Sequence, residues 1–283
     1  MAVLAAFTLA ARDYPVGISL SLYGHNLKQS DLDAVKAAGV RYVEVVMTPA
    51  MRKFPENEFY SRIFEIKEMV DKAGLTVWSV HLPYGRNIDI SEIDPAKRES
   101  YVSKQERMIE LAGIFKPSRL ILHPSAEPIK DEDRATRLQC ARNSIGRLSL
   151  AAKRINAVLC VEDLPRTCLG RNSEEIMYLI KDYPDVMVCF DSNHLLNESH
   201  DHFFEVAGSR IATIHASDYD GIDERHWMEG SGIIDWPAFL ANLRKTGYKG
   251  VFMHEVRQGD NINPVTIKAT YESVVCGHKT DKK

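Results

Sequence analysis

From residue 16 onward, short apolar runs alternate with longer amphipathic stretches. A run of about four to eight apolar residues bounded by Gly, Pro or charged residues reads as a buried strand, and apolar residues three and four apart read as a helix. This pattern predicts strands at 16–23, 41–47, 75–81, 119–123, 158–162, 186–191, 211–215 and 251–255. Between them it predicts a helix from a Ser30 cap to Ala38, stopped by Gly39, and one over 56–73, stopped by Gly74. Further helices follow from Asp94-Pro95 to about Phe115, over 131–156, and from an Asn172 or Ser173 cap to Lys181. The last three are expected over 201–207, over 235–246 and from Pro264 onward. Pro at the first helical position and Gly just past the last turn are the expected punctuation.

Eight strand–helix pairs in strict alternation imply parallel strands joined by right-handed crossovers. The predicted fold is α/β, a (β/α)8 TIM barrel formed as a single domain. An open dinucleotide-binding sheet would need Gly-x-Gly-x-x-Gly after the first strand, which is absent, and Gly230-Ser-Gly232 is too short to replace it. The barrel is expected over 16–278, with 1–15 as an extension capping its bottom and 279–283 as a basic tail.

The candidate chemistry lies at the strand ends. Val158-Leu-Cys-Val-Glu162, Val186-Met-Val-Cys-Phe-Asp191, Ile211-Ala-Thr-Ile-His215 and Val251-Phe-Met-His-Glu255 each finish on a metal-binding residue type. In a parallel barrel those ends open onto one face. A carboxylate there also serves as a helix cap or a solvated loop residue, but four independent strands ending alike favour convergence on one divalent cation. Hard oxygens with one nitrogen suit Mn²⁺, Mg²⁺ or Co²⁺ and accept Zn²⁺.

Period-two alternation points Glu255 inward with Met253 and Val251, and His254 toward the outer helices. By the same count Asp191 faces inward with Cys189 and Met187, and His215 with Thr213 and Ile211. His194, three residues after Asp191, is a candidate for a second metal or a substrate oxygen, against a plain bond to a backbone carbonyl. His81 and His123 end strands three and four, each with a proline just beyond, and are candidates for substrate or metal contact. The facing of Glu44 in strand two is undecided. Tyr84 and Trp227 are candidates to pack on a ligand, against ordinary packing roles.

Composition narrows the class. The 283 residues are 45% apolar, enough for the core of a barrel, which typically takes about 250 residues. A net charge of −3 and a pI near 6.4 disfavour a general electrostatic grip on nucleic acid, although a local basic patch is compatible with them. Five cysteines without a Cys-x-x-Cys pair read as reduced thiols and point to the cytoplasm. The apolar start lacks the charged region of a secretory signal, and no run reaches the roughly 20 apolar residues of a membrane span.

The chain resembles the xylose isomerase-like barrel superfamily, especially its sugar phosphate isomerase/epimerase members, over about residues 16–275. The resemblance is carried by Val161-Glu-Asp-Leu-Pro165, Phe190-Asp-Ser-Asn-His194, His215-Ala-Ser-Asp218, Gly230-Ser-Gly-Ile-Ile-Asp-Trp236 and Glu255. It implies that Glu162, Asp191, His215 and Glu255 bind one divalent metal, often manganese. It implies that Glu162 and Glu255 are the proton-transfer pair and that His194 sits beside the substrate oxygens. The implied activity is isomerisation or epimerisation of a small sugar or polyol derivative through a metal-stabilised enediolate, in a protein that pairs as a homodimer. A rival resemblance is to endonuclease IV, a trinuclear zinc phosphodiester hydrolase acting on abasic DNA. Its extra histidines and its acidic-x-His pair fall at His81, His123 and Glu224-Arg-His226. Its own pair is Asp-x-His, however, and Leu164-Pro-Arg-Thr-Cys-Leu-Gly170 looks like the isomerase side. A non-catalytic sugar-binding barrel is the third reading, disfavoured because all four ligand types are present.

Overall fold

The structure, a computed structural model, describes residues 14–257 and 261–277. The expected basic tail and all but the last two residues of the expected bottom cap lie outside the described residues. Eight parallel strands close into a barrel in sequence order. They are β1 (Val16–Ser19), β2 (Tyr42–Val46), β3 (Thr76–His81), β4 (Arg119–Leu122), β5 (Val158–Glu162), β6 (Met187–Asp191), β7 (Ile211–Ala216) and β8 (Phe252–His254), with β8 pairing back to β1. The helices between and after them are α1 (Gln29–Ala37), α2 (Thr48–Lys53), α3 (Glu56–Ala73), α4 (Pro95–Ala112), α5 (Asp131–Arg154), α6 (Ser173–Ile180), α7 (His200–Ala207), α8 (Trp236–Lys245) and α9 (Pro264–Thr270). No helix among the described residues is long and apolar enough to cross a membrane.

Local chemistry sets most boundaries. In α3 the buried Phe59, Ile63, Ile66, Val70 and Ala73 form one stripe, and Gly74 stops the helix in a left-handed conformation (φ 64°) that a side chain would disfavour. The Asp94 carboxylate caps α4 by accepting from the N–H groups of Ala96 and Lys97, with Pro95 in the first turn. Asn172 and Asp235 cap α6 and α8 in the same way.

Three expectations differ from the structure. β1 ends at Ser19, because the chain turns into a 3-10 segment over Leu20–Asn26 and the Ser19 hydroxyl accepts from the Ser21 N–H. α1 starts at Gln29 rather than after a Ser30 cap: Asp31 reaches back to the Lys28 N–H at 2.8 Å. The short α2, with a proline in its first turn, fills a stretch for which no element is predicted.

Two register shifts break the strand parity on which facing predictions rest. Between β2 and β3, Val43 pairs with Val77 but Glu44 pairs with Ser79, so Trp78 is the extra residue. Between β6 and β7, Val188 pairs with Ile211 but Cys189 pairs with Thr213, so Ala212 is extra. Ile211 therefore joins the core beneath the helices, while Ala212 packs inside with Ile121, Cys160 and Cys189; the inward facing predicted for Ile211 is corrected. The Trp78 indole crosses the barrel interior to donate to the Thr213 hydroxyl at 3.1 Å. Above this plug, at the strand C-terminal end, the interior turns from apolar to ionisable.

Candidate metal centre

Glu162 and Asp191 are the last residues of β5 and β6, His215 lies at the end of β7, and Glu255 is the first residue past β8. The Glu255 N–H still bonds to the Ala216 carbonyl at 2.9 Å, so the ladder fixes its backbone as firmly as a strand residue. The four side chains meet, with one donor atom from each lying within 4.8 Å of the others. His215 Nδ1 is 2.7 Å from Glu162 Oε1, 2.8 Å from Glu255 Oε2 and 3.9 Å from Asp191 Oδ2. Glu162, Asp191 and His215 are buried, and Glu255 borders the cavity.

Behind His215, its Nε2 lies 2.9 Å from Glu44 Oε2, and the hydroxyls of Ser19 and Ser79 donate to the two Glu44 oxygens. Glu44 thus faces inward and fixes the imidazole with Nδ1 toward Glu162, Glu255 and Asp191. A carboxylate behind a histidine is a common support of metal sites.

Cys189 also lies beside Glu162 and His215, and two groups built on other histidines adjoin this one. His81 Nε2 and His123 Nε2 lie 3.1 and 2.9 Å from the same Glu162 Oε2. His194, Glu224 and His226 form another set, with His226 Nε2 at 2.8 Å from Glu224 Oε1. His81 Nδ1 faces the Leu82 carbonyl at 3.0 Å, His194 Nδ1 the Asp163 carbonyl at 2.7 Å, and His226 Nδ1 the Glu255 carbonyl at 3.1 Å. A nitrogen facing a carbonyl must carry the hydrogen, so Nε2 of each ring is the atom presented to the site.

The electrostatics follow from crowding. Burial alone would raise the Glu162 carboxyl, but the charge of His215 and the hydrogen bonds from His123 and His215 hold it well below the usual carboxylate range. Burial likewise opposes ionisation of Glu255, and His215 overrides it, bringing its pKa to about 2. Asp191 is pushed up to about 8, by burial first and then, against the pull of His226, by Glu255 and Glu162. Burial disfavours the His215 imidazolium, yet the carboxylates of Glu44, Glu255 and Glu162 hold its pKa well above that of free histidine. Burial also opposes charge on His81, which its bond to Glu162 raises to about 9. Without a cation, protons on Asp191 and His215 relieve the repulsion.

These residues fit a divalent cation. Asp191 Oδ2 is fully buried and has no hydrogen-bond partner among the described residues, although it points at the other ligands. An orphaned carboxylate oxygen is costly unless a cation or a proton satisfies it.

A cavity of about 390 Å³ opens over this floor. Tyr84 lines it, but its ring stacks on His123 at 4.1 Å and lies beneath Arg52 at 5.2 Å, so its hydroxyl rather than its face is available. Trp227 does not line the cavity; its backbone pairs with Asp218 in a small bridge. Several supporting residues escaped the sequence reading. Asn193 Oδ1 accepts from the N–H groups of Arg225 and His226, holding His226 at φ 52°. Asp163 Oδ1 accepts from the Asp191 N–H at 2.7 Å. Arg166 binds Glu127, Asp223 and Glu224 at once, tying three loops together over the mouth. Nothing local in the sequence marks these long-range pairings.

Compared with known families, residues 32–272 match the one described as xylose isomerase-like TIM barrel. The chain belongs to that family. An uncharacterized protein of Methanocaldococcus jannaschii is 25% identical over 239 residues, covering 80% of this chain and 85% of that one. Among solved structures, a D-tagatose 3-epimerase-like protein superposes with a TM-score of 0.77 at 20% identity, covering 92% of this chain and 97% of the other. A D-psicose 3-epimerase superposes at 0.75 with 18% identity, covering 93% and 100%. At such identities the likeness is one of fold.

The geometry gives the stretch from Asp218 to Trp236 a physical reason. Both Asp218 oxygens are engaged, accepting from the N–H groups of Tyr219, Gly230 and Ile234 and from the Trp236 indole. Asp218 thereby folds the long loop that delivers Glu224 and His226. A Cβ on Gly232 would lie 2.1 Å from the Tyr219 carbonyl oxygen, so only glycine fits there.

Proposed function

We propose that this protein is a divalent-metal-dependent isomerase or epimerase of a small sugar or polyol derivative, with Glu162, Asp191, His215 and Glu255 as the metal ligands. The observation that carries the reading is the pair of ionised carboxylates, Glu162 and Glu255, flanking His215 at 2.7 and 2.8 Å on the floor of a ligand-sized cavity. The fold likeness to a D-psicose 3-epimerase supports it. When bound, the cation, most simply manganese, would supply Lewis-acid polarisation of a sugar carbonyl.

The chain's own residues do the rest. Glu255 has one oxygen held by His215 and borders the cavity, so it is assigned removal of the proton beside the carbonyl. Both Glu162 oxygens are held by histidines, with His81 and His123 on one and His215 on the other, so it is assigned the return of a proton drawn from those neighbours. Proton return on the opposite face epimerises, and return to the neighbouring carbon isomerises. His194 and His226 are assigned to the substrate oxygens. The test is proton exchange in deuterated water with a panel of ketoses and aldoses. Wild type should wash deuterium into carbon and Glu255→Gln should lower that rate by at least about 100-fold, the lower end of general acid–base contributions. Absence of exchange with every sugar would reject the reading.

A second reading is favoured by one observation. The sets His81–His123–Glu162 and His194–Glu224–His226 flank the first, each with a histidine whose Nε2 faces the carboxylate. Three metal ions per chain, with zinc preferred, would move the assignment to a multinuclear phosphodiester hydrolase; one would hold the isomerase.

A further inference from the structure

Three arginines line the cavity, Arg52, Arg86 and Arg166, and their circumstances differ. Arg166 is fully engaged: Nε and both terminal nitrogens bind Glu127, Asp223 and Glu224. Its charge is more than balanced by those carboxylates. Arg52 and Arg86 have no carboxylate partner among the described residues, and both are exposed at the rim.

Yet neither hangs free in solvent. The Arg52 guanidinium lies 5.2 Å from the centroid of the Tyr84 ring, which is itself stacked on His123. Arg86 donates from Nε to the Glu127 carbonyl at 2.9 Å, which orients its two terminal nitrogens without occupying them. A guanidinium held by an aromatic face or by one nitrogen keeps its remaining N–H fork for an oxyanion, and that fork matches phosphate and carboxylate geometry. Arginines elsewhere vary: Arg134 pairs with Glu175 and Arg147 with Glu106, whereas Arg98 and Arg210 bind backbone carbonyls. What sets Arg52 and Arg86 apart is their place, since both are oriented at the mouth of the cavity that holds the carboxylates. The proton-transferring carboxylates lie on the floor and the arginines on the rim, so a ligand spanning the cavity meets the two kinds of group at opposite ends.

The geometry points to a sugar that carries an oxyanion, phosphate or carboxylate, at the end remote from its reacting carbon, with Arg52 and Arg86 binding that oxyanion. The sugar part rests on the function proposed above; the oxyanion part stands on the arginines alone. It makes these two residues the specificity determinants of the site.

The test uses the protein as isolated and pairs of ketopentoses and ketohexoses with and without a terminal phosphate, together with the matching sugar acids. Binding is read by calorimetry and proton exchange is read separately. Wild type should bind the phosphate or the acid series about 10- to 100-fold more tightly than the neutral parents, as expected for charge-assisted forks. The arm that shows the gain identifies the oxyanion. In Arg52→Gln/Arg86→Gln that ratio should collapse to within about threefold, with the loss in KM rather than kcat. Equal binding of neutral and anionic sugars, no binding of either, or a ratio that survives the double substitution would overturn the inference. Failure of the proposed reaction would look different, since exchange would be absent for every sugar while the binding ratio persisted.

Discussion

At the scale of single residues, the centre depends on groups whose protonation a cation must change. Asp191, with its pKa pushed up to about 8, and His215, with its pKa held well above that of free histidine, are both protonated at pH 7 in the cation-free protein. A metal ligand must be deprotonated, so cation uptake at pH 7 should release protons, about two if both groups yield. Affinity should fall as pH drops below about 8 because Asp191 gains its proton there. Calorimetry in buffers of different ionisation enthalpy checks the proton count, and affinity independent of pH between 6 and 8 would contradict this balance.

Glu44 offers a second check at this scale. It touches no cavity surface, yet it orients His215 through Nε2. Glu44→Gln should weaken cation binding by about 10- to 100-fold, as for other outer partners of metal ligands, with circular dichroism unchanged. The role of Glu44 was not legible in the sequence, because its facing depends on where parity is counted, and the extra Trp78 breaks parity in the neighbouring strand. The facing of Glu255 and His254 was legible: His254 points away from the cavity and pairs with Glu229 at 2.6 Å.

At the scale of elements, the strands deliver Glu162, Asp191, His215 and Glu255, and the loop after β7 adds Glu224 and His226. Apolar runs ending in one ionisable residue made β5 and β6 readable nearly to the residue. Short elements were less readable, since Leu20 and Leu22 serve a buried 3-10 turn as well as they would a strand. The loop's architecture depends on Asp218, whose carboxylate serves three backbone N–H groups and one indole. Removing it strands two buried donors, the Tyr219 N–H and the Trp236 indole, each costing about 1–3 kcal/mol, and frees two part-buried N–H groups. Asp218→Ala should therefore lower stability by at least about 3 kcal/mol in chemical denaturation. A loss under about 1 kcal/mol would mean that water replaces the carboxylate. Arg166 is a milder case, a clasp among exposed loops whose loss should leave the barrel folded.

At the scale of the molecule, a closed sheet brings together residues spread from 44 to 255 in the chain. Alternation of eight strands with helices, without the glycine fingerprint of an open dinucleotide-binding sheet, made that closure legible. The convergence of Glu162, Asp191, His215 and Glu255 followed from it. Gathering a second and third histidine set around the same carboxylates did not, because it requires loop contacts such as Asn193 to the Arg225 and His226 N–H groups. A cation bound only by the folded barrel should also raise thermal stability, and a chelator should lower the midpoint by several degrees. The most direct measurement is anomalous diffraction at the manganese edge from crystals grown with Mn²⁺. The account predicts a peak within bonding distance of Glu162, Asp191, His215 Nδ1 and Glu255. A peak elsewhere, or none at saturating Mn²⁺, would contradict it.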